Sequence, residues 1–325
     1  MNHFLPHKGG LTILFLFCVA TFAYACSKDI YFDLYEEGNT VTIEYGPSKP
    51  SKPDSLLTIS TFSDLGFSHQ SAASYGDYAF FVTKGRSKIC MYNLAKKRKN
   101  FALSLVGQDG NIFHSNQSSF GVEKYEPVDF FPLLYICQRP KTDKRCFMEV
   151  YRILPLYDEE MSDYDSFYVD LVQTIYFPAM SRENSLGNVN CAIDPSGKYM
   201  YTYSRNNNSA DDNYGQCMVS KFIVPDLDAD SVVLEDSDIL SSFMIECSAI
   251  NMQGGCIHDG MLYIGQGYSS AGYIYLNVID LEKQKLVKRY DLMNDYGVRW
   301  EPEGCFVYEG ILMLAHTSAI SMIEQ

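Results

Sequence analysis

The sequence predicts an all-β protein of the β-propeller class, and three observations support this prediction. A short unit recurs along the chain: a polar residue, a small residue, a tight turn and then an apolar strand. Self-similarity of this kind is typical of repeat architectures such as propellers. Helix signals are scarce, and 25 Tyr and 20 Phe against one Trp suit sheets that pack face to face.

The repeated unit has five copies. The clearest occupy residues 190–203, 253–264 and 301–315, and looser copies occupy 70–82 and 116–121. Each copy has one small side chain at the equivalent place. These side chains are Ala73, Ser119, Cys191, Cys256 and Cys305.

The spacing of the copies predicts the number of blades. The small residues lie 46, 72, 65 and 49 positions apart, and a four-stranded blade needs about 40 to 50 residues. Insertions at 157–165 in one gap, and at 206–213 and 226–230 in the other, account for the two long gaps. The acidic stretches near 158–165 and 226–236 are predicted to be solvating insertions and not calcium loops. Too few strands follow residue 301 for a whole blade, so strands from residues 27–72 are predicted to complete the C-terminal blade and close the ring. Five blades are predicted, and six are the alternative if residues 30–62 supply more of a blade.

The first 25 residues have the features of a signal peptide, with an apolar run at 11–20 that is too short for a stable membrane span. The following Cys26 resembles the lipidated cysteine of bacterial lipoproteins. We therefore expect Cys26 to be the first mature residue and residues 27–325 to form a single propeller domain. The expected location is the cell envelope, in the outer membrane or periplasm, with membrane contact only through the lipid anchor. The alternative is ordinary cleavage and a secreted, soluble protein; in either case a monomer is expected.

Charge and cysteine spacing exclude several classes of function. The net charge is −14, which disfavours nucleic acid as a partner because phosphate neutralisation needs basic residues. The short basic run at 96–99 is predicted to be a solvated turn. No Cys-x-x-Cys pair is present, so zinc-ribbon spacing is absent. Cys137 and Cys146 fit either a disulfide across a hairpin or two small buried side chains, and we favour the second.

The residues just before each small residue are predicted to form the functional site. Crowding at a propeller axis selects small side chains, and the preceding polar residues would then surround the mouth of the central channel. The candidate ligand-binding residues are His69, Gln70, His114, Asn116, Gln117, Asn190, Gln253, Glu301 and Glu303. Tyr75, Phe120 and Trp300 are expected to lie nearby. The expected ligand is a glycan, a peptide or an envelope component, and no cofactor or metal is assigned. The alternative is that the polar residues only cap strands and hold channel water.

An enzyme is the alternative class of function. A hydrolase, lyase or cyclotransferase would use His69, His114 and Glu303 around a metal ion or a water molecule. No nucleophile elbow, phosphate-binding loop or His-Glu-x-x-His motif occurs. The sequence alone leaves open whether the protein is an enzyme.

Two motifs carry a resemblance to a known group. They are Asp-Pro-Ser-Gly-Lys-Tyr-Met-Tyr at 194–201 and Glu-Pro-Glu-Gly at 301–304. In these the chain resembles the TolB-like secreted propellers, particularly the uncharacterised lipoproteins of Bacteroidetes. The resemblance implies an envelope location and a ligand-binding disc but no reaction. That group is commonly six-bladed, so the predicted five blades depart from it.

Overall fold

The computed structural model describes residues 58–83, 88–104, 115, 117–138, 146–160, 163–177, 189–206, 211–317 and 319–324. Its strands, in chain order, are β1 (Thr58–Asp64), β2 (His69–Tyr75), β3 (Tyr78–Thr83), β4 (Lys88–Asn93), β5 (Arg98–Ser104), β6 (Gln117–Phe120), β7 (Leu134–Gln138), β8 (Phe147–Asp158), β9 (Asp163–Tyr176), β10 (Asn190–Ile193), β11 (Tyr199–Arg205), β12 (Gln216–Ile223), β13 (Ser231–Val233), β14 (Ser241–Ser248), β15 (Met252–His258), β16 (Met261–Tyr268), β17 (Tyr273–Asp280), β18 (Lys285–Asp291), β19 (Pro302–Tyr308), β20 (Ile311–His316) and β21 (Ala319–Glu324). Two single turns of 3₁₀-helix occupy Asp236–Asp238 and Ser269–Ala271.

The strands form five antiparallel blades, which confirms the predicted five-bladed propeller. From the innermost strand outwards, the blades are β2-β3-β4-β5, β6-β7-β8-β9, β10-β11-β12-β14, β15-β16-β17-β18 and β19-β20-β21-β1. Strand β1 pairs with β21, so one N-terminal strand completes the C-terminal blade as predicted. Residues 30–57, which are most of the segment that the six-blade alternative requires, lie outside the described residues.

The five inner strands surround one axis. Strand β2 contacts β6 and β19, β10 contacts β6 and β15, and β15 contacts β19, so the contacts close a ring. Five apolar clusters fill the gaps between successive blades, one cluster for each pair of neighbours. All five predicted small residues lie on inner strands, and Cys191 is also part of the cluster between the second and third blades.

The tightest approaches between inner strands lie one or two residues before the predicted positions, at Gly304 and Gly254. A Cβ atom at Gly304 would lie 2.9 Å from the backbone nitrogen of Ala72, and one at Gly254 would lie 2.7 Å from the carbonyl oxygen of Glu303. Backbone atoms cannot move aside as a flexible side chain can, so glycine is required at both places. In β15 and β19, crowding therefore also acts on residues just before the predicted positions.

The second blade gains a fifth strand from the insertion in the third. Strand β13 pairs in parallel with β9, and the amide of Gln173 donates to the carbonyl oxygens of Asp226 and Ala229. The acidic segment 226–236 was predicted to be a solvating insertion. Its acidic side chains are exposed, as predicted, and the segment also pairs with the outer edge of the neighbouring blade, where β9 would otherwise expose unpaired backbone groups.

The eight cysteines of the described residues are free thiols. Cys137 and Cys146 are both buried in the cluster between the second and third blades, in agreement with the favoured interpretation. Burial raises the pKa of the Cys90 and Cys305 thiols to about 12. These cysteines therefore act as small apolar side chains.

A long hairpin of β8 and β9 crosses to the first blade. Asp163, the first residue of β9, is buried and accepts hydrogen bonds from Tyr78, Asn93 and Arg98 at 2.5, 3.2 and 2.8 Å. Lys96 lies 3.3 Å away. The segments 157–165 and 96–99 were both predicted to be solvated, but they meet in this contact. The carboxylate of Asp163 forms ion pairs with the side chains of Lys96 and Arg98.

We expect Asp163→Ala to lower the free energy of unfolding by about 3 kcal/mol, because it leaves buried donors without an acceptor. Burial favours a raised pKa for Asp163, but the hydrogen bonds from Tyr78 and Lys96 outweigh it and lower the pKa. The contribution is therefore present above about pH 4, the ordinary Asp value, and is lost as the pH falls through the lower folded value. Urea unfolding at pH 7 and pH 3 measures both effects. Glu159→Ala, at an exposed residue of the same hairpin turn, is the control; equal losses in the two variants would contradict the prediction.

Candidate ligand-binding site on the propeller axis

The inner strands begin at one end of the axis, which we call the polar end. Four blades contribute amide or carboxylate side chains there. The amide of Gln70 donates to Glu303 at 3.0 Å, and the amide of Gln253 donates to Glu301 at 2.6 Å. Asn190 donates to the backbone oxygen of Gln253 at 3.4 Å. The structure therefore brings these five predicted residues together.

Exposure increases along this polar cluster towards solvent. Gln70, Asn190 and Glu303 are buried, whereas Gln253 and Glu301 are half-buried. Within the described residues, the three buried side chains form the floor of the cluster and the two half-buried ones form its rim. The predicted funnel also includes His114 and Asn116, which lie outside those residues, so the funnel stays a prediction. Among these five residues, the side chains of Gln253 and Glu301 are the more exposed to solvent.

Gln117 closes the axis below the polar cluster. Its amide nitrogen donates to the carbonyl oxygen of Gly255 at 2.6 Å, and its oxygen accepts from the Gly255 N–H at 2.7 Å. The Tyr203 hydroxyl lies 3.4 Å from the same oxygen. Gln117 belongs to the second blade and Gly255 to the fourth, so the amide spans the axis between blades that are not neighbours. Strand β15 is the inner edge of its sheet, and Gln117 satisfies backbone groups that this edge leaves open.

His69 lies in the core and not on the axis. Its ring packs against Phe67 and Phe81, with centroids 6.2 and 4.8 Å away. Burial, helped by the nearby His316, lowers the pKa of His69 to about 3. Burial also lowers the pKa of His316 to about 4. Both imidazoles are therefore neutral at pH 7.

Trp300 lies beside the polar cluster. It immediately precedes Glu301, is half-buried, and stacks on His316 with ring centroids 3.4 Å apart. The His316 ring is in turn hydrogen-bonded to Ser321 at 3.1 Å. This stack fixes the indole of the one tryptophan in the chain at the polar end.

The predicted aromatic neighbours divide between the two ends of the axis. Tyr75 and Phe120 are the last residues of β2 and β6, so they lie at the opposite end from Trp300. The prediction that all three flank one site was wrong. Each inner strand runs from the polar end of the axis to the other end, so a residue that ends an inner strand lies far from one that precedes an inner strand. Candidates His114 and Asn116, and the predicted lipidation site Cys26, lie outside the described residues.

The other end of the axis, which we call the aromatic end, holds a cavity of about 160 Å³. All five blades line it, including the predicted small residues Ala73, Ser119, Cys256 and Cys305. The sequence indicated the crowding but not the cavity, since the free space depends on how Gln117 fills the axis above it.

No group of three or more His, Cys, Asp or Glu side chains with the geometry of a metal site occurs among the described residues. Within those same ranges no helix has the length and apolar character needed to cross a membrane.

Comparison with known proteins gives structural likeness only. No family model and no curated protein matches the chain. Among solved structures, glutaminyl cyclase from Myxococcus xanthus is similar at 11% identity and a TM-score of 0.42, covering 82% of this chain and 94% of that one. The major allergen of Malassezia sympodialis is similar at 8% identity and a TM-score of 0.47, covering 80% and 95%. At these values the likeness carries no inference about function.

Proposed function

We propose that the protein is a non-enzymatic binding protein of the cell envelope that holds a glycan at the polar end of the axis. The observation that carries the proposal is the half-buried, hydrogen-bonded pair of Gln253 and Glu301. Trp300 directly precedes Glu301 in the chain, and the other polar side chains of the cluster are buried. Membership of the TolB-like group is part of this proposal.

The chemistry of the pair favours a neutral, hydroxyl-rich ligand. Sugar hydroxyls both donate and accept, so they can bond to an amide and a carboxylate at once. Glu301 accepts from Gln253, and a carboxylate can accept several hydrogen bonds at the same time. An aromatic side chain beside a few fixed polar groups is a common composition for a small-molecule site.

A glycan also suits the rigidity of the site. Gln253 is held by the inner strand β15, and Glu301 immediately precedes β19, where glycines place the backbones in close contact. Polar groups on rigid elements lose little conformational entropy when a ligand binds. A preformed site of this kind discriminates among hydroxyl arrangements, since a misplaced hydroxyl leaves a polar group unpaired.

The enzyme alternative has less support from the described residues. His69 was its predicted acid–base or metal-binding group, but the ring is fully buried against phenylalanines and stays neutral at pH 7. General acid–base catalysis requires contact with the reacting group and a pKa near the working pH. His69 meets neither requirement.

A glycan array probed with residues 27–325 tests the proposal. We expect binding to at least one class of neutral oligosaccharide, with a loss of tenfold or more in Trp300→Ala and in Glu301→Gln. Tyr75→Ala, at the aromatic end, is the control and should bind as the wild type does. Failure to bind any glycan, or equal binding by all four proteins, would contradict the proposal. Product analysis of each bound glycan, with and without chelator, should show no turnover.

The envelope location is tested separately through Cys26. The proposed anchor is a lipid on this cysteine after removal of residues 1–25. We expect radiolabelled palmitate to enter the wild-type protein in a bacterial host and to be absent from Cys26→Ser. Labelling that persists in the variant, or a wild-type protein released without label, would overturn the anchor but not the glycan site.

A further inference from the structure

The indole of Trp300 and the imidazole of His316 lie directly face to face. Their ring centroids are 3.4 Å apart and their planes differ by 14°. By comparison, the stacked rings of Tyr273 and Tyr275 have centroids 5.4 Å apart. Carbon atoms in contact lie about 3.5–4.0 Å apart, so centroids at 3.4 Å leave no room for a lateral offset between the rings. The imidazole therefore covers one face of the indole.

His316 is itself held in one orientation. It is 6% exposed, and its Nε2 shares a hydrogen bond with the hydroxyl of Ser321 at 3.1 Å. Ser321 is buried in β21, where it lies opposite Leu314 of β20 on one side and Thr61 of β1 on the other. A side chain that is packed in the core and bonded to a fixed partner keeps its rotamer. The imidazole is thus a rigid support for the indole.

The backbone on both sides of Trp300 is also held by hydrogen bonds. Before it, the hydroxyl of Ser269 donates to the carbonyl oxygen of Arg299. After it, the N–H of Thr317 donates to the carbonyl oxygen of Glu301 at 3.4 Å. The freedom that remains to Trp300 is rotation about its side-chain bonds. The stacked imidazole restricts this rotation.

The indole N–H is available to a ligand. It makes no hydrogen bond among the described residues, and it is not one of the enclosed polar groups in that part of the chain. Trp300 is half-buried, with part of its ring packed against the apolar cluster between the fourth and fifth blades. A tryptophan N–H usually has a hydrogen-bond partner when it is buried. An unbonded N–H at the surface can donate to water or to a ligand hydroxyl.

Gln253, on the neighbouring blade, offers an acceptor of the same kind. Its amide nitrogen donates to Glu301 at 2.6 Å. Its amide oxygen makes no hydrogen bond within the described ranges and is likewise not enclosed. A sugar ring carries hydroxyls that both donate and accept. It can therefore use the indole N–H and the amide oxygen together, provided that the indole keeps a fixed direction.

We propose that His316 is a positioning residue of the glycan site. Its imidazole holds the indole of Trp300 in one plane and so directs the indole N–H and the uncovered part of the ring towards a sugar bound at Gln253 and Glu301. The role of His316 rests on the proposed glycan site, since the direction of the indole matters only to a ligand bound there. Groups on a rigid support lose little conformational entropy on binding, so His316 raises the affinity without touching the ligand.

Substitutions separate the ring of His316 from its hydrogen bond. His316→Phe keeps a planar ring against the indole and removes the bond to Ser321. His316→Leu keeps an apolar side chain of similar size and removes the plane. Ser321→Ala keeps the imidazole and removes its partner. The matched control is His69→Leu, the same change at a buried histidine whose ring packs on phenylalanines and not on Trp300. If His316 only filled the core, His316→Phe and His316→Leu would behave alike.

The fluorescence of Trp300 tests the positioning without a ligand. Trp300 is the one tryptophan of the chain, so quenching by acrylamide reports on this ring alone. We expect about twofold stronger quenching in His316→Leu, because the freed indole samples more rotamers. His316→Phe and His69→Leu should match the wild type, and a cooperative thermal transition shows that each variant is folded. Equal quenching in the wild type and His316→Leu would overturn the proposal.

The array of neutral oligosaccharides tests the consequence for affinity. We expect binding about tenfold weaker in His316→Leu and about threefold weaker in Ser321→Ala, because the indole or its support must be ordered when the ligand binds. His316→Phe and His69→Leu should bind as the wild type does. Equal binding by the wild type and His316→Leu would overturn the role of His316 and leave the glycan site standing. Absence of binding by the wild type would overturn both, so the two failures are distinguishable.

Discussion

The free energy of unfolding is expected to fall by about 4 kcal/mol between pH 6.5 and pH 4.5, because two buried histidines stay neutral in the folded state. Burial lowers the pKa values of His69 and His316 to about 3 and about 4. An unfolded histidine takes up a proton near pH 6.5, so each residue costs about 1.4 kcal/mol per pH unit below that value. Stability is therefore full above pH 6.5 and is lost as the pH falls towards the folded pKa values.

Urea unfolding at half-unit pH intervals measures this loss. His69→Leu should remove about half of the slope between pH 6 and pH 4.5, and the double variant with His316→Gln should remove most of it. Phe81→Leu changes the side chain packed against His69 and is the control: it should lower stability at every pH and leave the slope unchanged. This window lies above the ordinary range of aspartate, so the contribution of Asp163 does not overlap it. A stability that is constant from pH 6.5 to 4.5 would contradict the account of His69.

Replacing Gln117, whose amide spans the axis, should cause the second large loss in the free energy of unfolding. Gln117→Met keeps most of the side-chain volume but leaves the N–H and carbonyl of Gly255 without partners. Each unpaired buried group costs about 1–3 kcal/mol, so a loss of about 2–4 kcal/mol is expected. Gln117→Ala should lose less than the methionine variant if water enters the space and restores the hydrogen bonds.

The matched control is Gln253→Met, the same change at a half-buried amide of the polar cluster. Water can replace its hydrogen bond to Glu301, so we expect a loss below about 1 kcal/mol. Urea unfolding at pH 7 measures all three variants. Equal losses at Gln117 and Gln253 would show that Gln117 does not hold the axis closed.

The fold was predictable from the sequence because crowding at an axis imposes a repeated constraint. Five small side chains recur at equivalent places, and each lies on an inner strand of the structure. The spacing also gave five blades and the closure by β1. Gly304 and Gly254 lie one and two residues before Cys305 and Cys256 and make close contacts with the backbone of neighbouring inner strands, so the repeat indicated the crowded position to within two residues.

The site was predictable only in part. The convergence of Gln70, Asn190, Gln253, Glu301 and Glu303 follows from the repeat, and the structure brings these residues together. The hydrogen bonds that these residues make depend on distances across the axis, which no local sequence pattern encodes. Gln117 could reach Gly255 only because the ring is narrow, and this one contact determines which part of the axis is filled and which part is a cavity.

The ion pairs between residues that are far apart in the sequence could not be predicted from it. The basic run at 96–99 and the acidic hairpin turn at 157–165 each have the composition of a solvated loop. Their contact through Asp163 depends on the length of β8 and β9, which extend beyond the pairing with β7 and reach the first blade. The aromatic end was missed for a similar reason, since its exposed side chains come from turns and loops outside the repeated unit.

The most direct test of the axial arrangement is the anomalous scattering of crystals pressurised with xenon, which enters apolar cavities of this size. The account predicts a xenon site between β2, β6, β10, β15 and β19, on the side of Gln117 that faces Tyr75. Xenon that binds only in the gaps between blades, with none on the axis, would contradict it.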